Sequence, residues 1–218
     1  KAADLGSKGF DFVLDNLKVG ITEIQIANKL DAFWKDNGGN GLAFDPIIAF
    51  GKNASMPHYH PKQVKLKAGD QVLIDIGVKV GPYHSDMTRT VFFKKAPSKK
   101  LSEVYEVVRE AQELAIKACR SGVTCKELDD IARKHIEKSG YGKYFSHSLG
   151  HGVGLEIHEF PALSSASQAT LQEGMVVTIE PGIYISSLGG VRIEDTVIVQ
   201  KNKALDITKR PKALKIVG

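Results

Sequence analysis

The sequence predicts an α+β fold built from two similar halves, and three observations carry that prediction. Some stretches repeat apolar residues at helical spacing, whereas others are short β-branched runs bounded by glycine. An ordered set of motifs occurs twice, about one hundred residues apart. The β-like runs VLIDIG and VVTIEPG each hold an acid among apolar neighbours, which predicts strands with a buried, chemically special face.

Taken in order, residues 1–18 place Leu5, Phe12 or Val13, Leu14 and Leu17 on one helical face, and Gly20 ends that helix. Thr22 with Gln25 forms a capping box that opens a second helix to about Asp36, where Asn37-Gly38-Gly39 stops it. After the loop FDPIIAFGKNASMPHYHP, LKAGDQVLIDIGVKV reads as a strand, Gly81-Pro82 as a turn and SDMTRTVFF as the next strand. From Ser98 or Ser102 to Cys119, Val104, Val107, Val108, Ala111, Leu114, Ala115 and Ala118 form a long amphipathic helix.

The pattern then restarts. KVGITEIQ (18–25) returns as RSGVTCKE (120–127), with Thr124 and Glu127 as the second capping box. Gly20 and Gly38 match Gly122 and Gly140 at an offset of 102, and His58 and Pro61 match His158 and Pro161 at 100. LKAGDQVLIDIG matches LQEGMVVTIEPG, pairing Asp75 with Glu180 at an offset of 105. SDMTRTVFF matches IEDTVIV, pairing Asp86 with Glu194 at 108. Two halves, about 1–100 and 101–218, are therefore expected to pack into one domain about a pseudo-two-fold axis.

Such an axis gathers Asp75, Asp86, Glu180 and Glu194. Four like charges cannot share a buried site unneutralised, so cations are expected. Carboxylates with one imidazole suit a pair of divalent ions sharing a bridging hydroxide, which predicts hydrolysis at either a carbonyl or a phosphoryl centre. Taken singly, each acid could be a turn or edge-strand charge; the pairing between halves argues against that. His147 and His151 lie in a glycine-rich run unsuited to a helical two-histidine zinc site, and no H-E-x-x-H, dinucleotide loop, phosphate loop or nucleophile elbow is present. His60 and His84 read as solvated loop residues.

Composition sets the remaining limits. The 42% hydrophobic and 25% charged fractions over 218 residues are those of a globular chain. Thirty basic against 25 acidic residues leave a net charge of +5, concentrated from Lys201 onward and read as a solvated basic surface rather than a nucleic-acid face. No apolar run approaches the roughly 18 residues of a membrane span, and KAADLGSKGF does not resemble a signal peptide. Cys119 and Cys125 match no metal or redox spacing and read as packing residues in a reducing cytosol. The missing initiator Met is expected of a fragment of a longer chain.

PHYHP, DIGVKVGPYHSDMTRT, HSLGHGVGLEIHEFP, TIEPGIY and GVRIEDT together resemble the pita-bread dinuclear metallopeptidases, in particular the Xaa-Pro aminopeptidase and prolidase branch. The resemblance covers essentially the whole chain. It implies a strongly curved, internally duplicated antiparallel sheet backed by helices; proline-specific relatives generally carry an additional N-terminal domain, and its absence from these residues is the one expected departure. It implies Asp75, Asp86, His151, Glu180 and Glu194 as metal ligands, with Asp86 and Glu194 bridging. It also implies His58, His147 and His158 around the substrate, Glu180 as proton acceptor and Arg192 as support for the site's edge. The implied activity is removal of the first residue from peptides with proline second. The implied cofactor is two divalent ions, manganese first and cobalt, zinc or iron as alternatives. Methionine aminopeptidase-type or dipeptidase activity is the alternative enzyme, and a non-enzymatic binding module the alternative class. The expected partner is a peptide with a free amino terminus, with no nucleic acid or membrane partner; a homodimer is admitted, and the expected location is cytoplasmic.

Overall fold

The computed structural model describes residues 1–218. In the first half, α1 (Ala2–Asn16) and α2 (Glu23–Asp36) precede β1 (Gly41–Leu42), β2 (Ile47–Phe50), β3 (Gln71–Ile76), β4 (Val78–Val80), β5 (Tyr83–His84) and β6 (Met87–Phe93). In the second, α3 (Lys99–Ala118) and α4 (Cys125–Lys138) precede β7 (Gly150–Gly152), β8 (Glu159–Leu163), β9 (Val176–Ile179), β10 (Gly182–Ile185), β11 (Gly189–Arg192), β12 (Asp195–Val199), β13 (Ala204–Asp206) and β14 (Ile216–Val217). Both capping boxes form, each contributing about 1 kcal/mol to its helix. Ser98, not Ser102, caps α3, because its hydroxyl accepts from the Leu101 amide.

Strand periodicity sorts the side chains. Along β2 and β3, Ile48, Phe50, Val72, Ile74 and Ile76 pack with α1 and α2, while Ile47, Ala49 and Leu73 join Tyr59 and Tyr184 on the opposite face. Asp75 lies on that second face by alternation. Val177, Ile179, Val197 and Val199 similarly enter the second half's core with α3 and α4, leaving Thr178 and Thr196 on the other face. Each half thus backs its sheet with two helices and turns a polar face inward.

The long strand expected over LKAGDQVLIDIGVKV is broken, and so is the apolar run GVRIEDTVIV of the second half. Gly77 separates β3 from β4, which joins a different sheet with β1 and β5; a Cβ at Gly77 would overlap the carbonyl oxygen of Ser85. Ile193-Glu194 separates β11 from β12, again placing the two pieces in different sheets.

Corresponding positions of the two halves share backbone geometry. Gly20, Gly38 and Gly69 have φ of 87°, 87° and 98°, and their partners Gly122, Gly140 and Gly174 have 89°, 84° and 90°. The Gly20 amide donates to Leu66 O, and the Gly122 amide to Leu171 O. The Gly69 amide donates to Phe93 O, and the Gly174 amide to Val199 O. The last correspondence corrects the alignment of the final strands. Asp75 pairs with Thr88 in β3–β6, and Thr178 with Thr196 in β9–β12, so Thr88 corresponds to Glu194 at an offset of 106. Asp86 therefore corresponds to Arg192, not Glu194. Because the slip is two residues, the same face stays inward.

Thr88 and Glu194 form the antiparallel bridge that joins the halves. On either side, Thr90 Oγ1 donates to Arg192 O (3.2 Å) and its counterpart Thr196 Oγ1 donates to Asp86 O (2.8 Å). On the helix-facing side, another corresponding pair, Arg89 and Asp195, forms a buried ion pair at 2.5 Å. Arg89 also donates to the Glu194 carbonyl, and Gln112 and Lys212 donate to Asp195.

Lys212 belongs to the basic C-terminal stretch, which is not simply a solvated surface. Arg210 pairs with Asp11 of α1, Arg89 donates to the carbonyls of Arg210 and Pro211, and β14 adds parallel to β6. The last strand of the second half so completes the sheet of the first, the one parallel pairing in an otherwise antiparallel arrangement.

Replacing Asp195 by Asn leaves the Arg89 and Lys212 charges without their buried counter-charge. Urea unfolding of the metal-free protein should show a loss of about 3–5 kcal/mol; a loss below about 1 kcal/mol would contradict this role for the pair.

Candidate metal centre

The inward faces enclose a cavity of about 370 Å³ lined by Asp75, Asp86, Glu180, Glu194, His58, His147, His151, His158 and Arg192. All nine residues expected at the site therefore converge. Asp86 and Glu194 immediately precede β6 and β12, Asp75 ends the inward row of β3, Glu180 follows β9, and His151 is the middle residue of β7.

The tightest group is Asp86, His151 and Glu194, whose potential ligand atoms lie within 4.8 Å of one another. His151 Nε2 is 3.3 Å from Glu180 Oε1 and 3.5 Å from Asp86 Oδ2. Its Nδ1 lies 3.0 Å from the carbonyl of Gly152, so Nδ1 carries the proton and Nε2, facing the carboxylates, is the nitrogen able to ligate. Asp75 Oδ2 accepts from Arg192 Nη2 at 2.5 Å, while its Oδ1 is buried without a partner. Glu194 accepts from Thr88 Oγ1 (2.7 Å) and Glu180 from Thr178 Oγ1 (3.0 Å).

Gly150 and Gly152 serve strand packing. A Cβ at either would overlap a neighbouring backbone carbonyl, of Thr178 and Phe160 respectively. Their absence of side chains lets β7 lie close enough to β9 and β8 to hold His151 over the acids.

Electrostatics show what the cluster lacks. Burial, then the charges of Asp75 and Glu180, raise the Asp86 carboxyl well above the usual range. Burial, then Asp86, Glu180 and Asp75, do the same to Glu194. Burial also raises Asp75, against the pull of Arg192. Burial pushes Glu180 upward too, but the His151 hydrogen bond and nearby cations outweigh it and hold Glu180 low. One guanidinium and the imidazoles thus face four carboxyl groups. The hard oxygen donors, the correctly presented Nε2 and the orphaned Asp75 oxygen fit a pair of divalent cations.

The remaining side chains are held by two arrangements that the sequence did not reveal. Arg192 Nη1 donates to Tyr184 OH (2.5 Å), and Tyr184 OH lies 2.9 Å from His147 Nε2, while His147 Nδ1 faces Ser148 O (2.8 Å). Burial keeps His147 low, and both ring nitrogens are committed, so His147 lines the cavity as a fixed neutral ring. Buried Asp129 of α4 accepts from Arg133 and from the Leu149 amide, and Arg133 donates to the carbonyls of Phe145 and His147. In sequence, Asp129 and Arg133 resemble any i,i+4 pair on a solvated helix face. His58 and His158 are exposed at the cavity, and His60 is exposed outside its lining; His84, expected in a solvated loop, is instead half-buried in β5 with Nδ1 3.2 Å from Gly154 O. Cys119 and Cys125 are buried free thiols, as expected of packing residues.

For a carboxyl whose folded pKa lies above its unfolded value, stabilisation is present at low pH and is lost as pH rises through the folded value. Asp86 and Glu194 therefore weaken the metal-free protein as they ionise, and a divalent ion must displace their protons. The rise in melting temperature on saturation with Mn²⁺, followed by circular dichroism, should be larger at about pH 8 than at about pH 5. Equal rises would contradict the assignment.

Residues 1–201 match the profile of Metallopeptidase family M24. The Xaa-Pro dipeptidase of Pyrococcus furiosus is 47% identical over 214 residues, which cover 98% of this chain and 61% of that protein. Among solved structures, the Xaa-Pro dipeptidase from Bacillus anthracis superposes with a TM-score of 0.97 at 42% identity, covering 99% of this chain and 61% of the other. The X-Pro aminopeptidase from Thermotoga maritima gives 0.96 at 38% identity, covering 99% and 61%. This chain thus spans less than two thirds of the length of these relatives. Its fold is the pita-bread fold of those peptidases, and the chain belongs to metallopeptidase family M24.

Proposed function

We propose that this chain is the catalytic part of an exopeptidase that hydrolyses the bond between a free first residue and a following proline. The observation that carries this reading is the composition of one cavity. Its floor is an acid cluster that fits two divalent ions, and its walls include Phe44, Ile47, Pro57, Ile157 and Ala162. A proline nitrogen has no hydrogen to donate, so a ring-shaped apolar wall is the feature able to select it. The names of the relatives support the same scissile bond, both as dipeptidases and as an aminopeptidase.

Asp75, Asp86, His151, Glu180 and Glu194 would hold the ions, with Asp86 and Glu194 shared between them. When bound, two such ions supply Lewis acidity toward the carbonyl and a water activated at neutral pH. Manganese is the expected species, because oxygen donors dominate.

The chain's own groups then have distinct tasks. Glu180, held low and therefore ionised, accepts the proton of the attacking water. His158 is exposed at the cavity, its imidazole kept low by burial and by His151; it donates to the developing oxyanion or delivers a proton to the departing proline nitrogen. His58 faces the substrate from the other half, and Arg192 holds the Asp75 carboxyl in place. His147, with both nitrogens engaged, orients the wall and transfers no proton.

The metal-loaded protein should cleave Xaa-Pro peptides in preference to Met-Ala peptides. Glu180→Gln, Asp86→Ala and Glu194→Ala should each lower kcat/KM by at least about a hundredfold in a chromatographic peptide assay. Undiminished activity in these variants, or preference for Met-Ala, would refute the proposal.

A further inference from the structure

We propose that Glu23 is a positioning residue that sets His58 against the substrate; the role rests on reading the cavity as the peptide site. Glu23 is the first residue of α2, yet it has no exposed surface. Its Oε1 accepts from the Phe50 amide (2.8 Å) and Asn53 Nδ2 (2.9 Å). Its Oε2 accepts from Tyr59 OH (2.7 Å) and the Lys62 amide (3.0 Å). All four donors lie in the stretch 50–62, which wraps around this one carboxylate.

Helix stability does not require that burial. Thr22 and Gln25 complete the capping box without Glu23, and an acid in the first turn gains its favourable dipole interaction while solvated. The carboxylate instead gathers a loop that has little regular structure of its own. On the opposite side the loop meets the second half: Arg192 Nη1 donates to Pro57 O (3.4 Å). Gly190 also leaves room for the Ala54 carbonyl, which a Cβ there would overlap. Between the two clamps, Met56 and His58 remain exposed, and Pro57 and His58 line the cavity. The other half has no equivalent device, because the offset of 102 places Cys125 at the corresponding position.

Glu23→Gln keeps the size of the side chain but replaces one acceptor oxygen by an amide that faces two donors. With metal content unchanged, this variant should raise KM for an Xaa-Pro peptide on the order of tenfold, with kcat within about twofold. In a His58→Ala background the same change should add nothing to KM, because its effect travels through His58. An additive effect, or a fall in melting temperature with KM unchanged, would reduce Glu23 to a structural residue and overturn the inference. A readout independent of turnover is the NMR cross-peak of the His58 imidazole, which should shift or broaden in Glu23→Gln; an unaltered peak overturns the inference even if Xaa-Pro peptides prove not to be substrates. Absence of Xaa-Pro cleavage by the wild type, with the His58 peak displaced in the variant, would refute the functional reading alone. Should Glu23→Gln not fold, Tyr59→Phe removes one of the four donors and should give a smaller change in the same KM and the same NMR peak; no change in either overturns the inference.

Discussion

Four carboxyl groups in one buried cavity are the constraint around which the rest of the molecule is arranged. At 4 Å and an effective dielectric of about 20, each like-charged contact costs roughly 4 kcal/mol. Asp75 has Arg192, Glu180 has His151, and Glu194 has a threonine hydroxyl, while Asp86 gains little beyond the shared imidazole. Burial, and then this repulsion, raise the Asp86 and Glu194 carboxyls, and divalent ions are the natural remedy. A fold that presents such a cluster must resist the repulsion mechanically until the ions arrive. Here the backing comes from two separate apolar cores, one per half, with the acids on the sheet face turned away from both.

Duplication supplies the scaffold, and divergence within it supplies the chemistry. Corresponding positions meet at the join, where an exact copy would bring like residues together. At one such pair, one half keeps arginine and the other aspartate, so Arg89 and Asp195 attract across the axis. At another, Asp86 in the first half stands where Arg192 stands in the second, so the cavity receives an acid from one side and a guanidinium from the other. Asp75 and Glu180 remain acidic in both halves. The centre is thus asymmetric on a nearly symmetric frame: Arg192 with Tyr184 fixes the Asp75 side, and His151 the Glu180 side. The C-terminal strand then ties the second half into the sheet of the first.

Much of this was legible in the sequence because it rests on local rules. The capping boxes at Thr22 and Thr124, the left-handed glycines and the alternation around Asp75 and Glu180 are set within a few residues and recur in both halves. The acids and imidazoles expected at the site all reach it. The alignment of the last strands misled because Asp86 and Thr88 match Glu194 and Thr196 in chemical type and spacing. Thr90-Val91-Phe92-Phe93 and Thr196-Val197-Ile198-Val199 match as well, and strand pairing selects the latter. The clasp of Asp129 and Arg133, the hub at Glu23 and the strap at Lys212 were hidden for another reason. Each is a charged side chain whose partners lie in a distant loop, sheet or helix, and its own sequence neighbourhood is that of a solvated surface.

On this reading the two halves together build a centre for two divalent ions. Anomalous scattering from crystals of the Mn²⁺-loaded protein would locate them. Two anomalous peaks are expected in the cavity, both contacted by Asp86 and Glu194, one also by Asp75 and the other by His151 and Glu180. No peak in the cavity, or a single peak with Asp75 still turned to Arg192 alone, would contradict it.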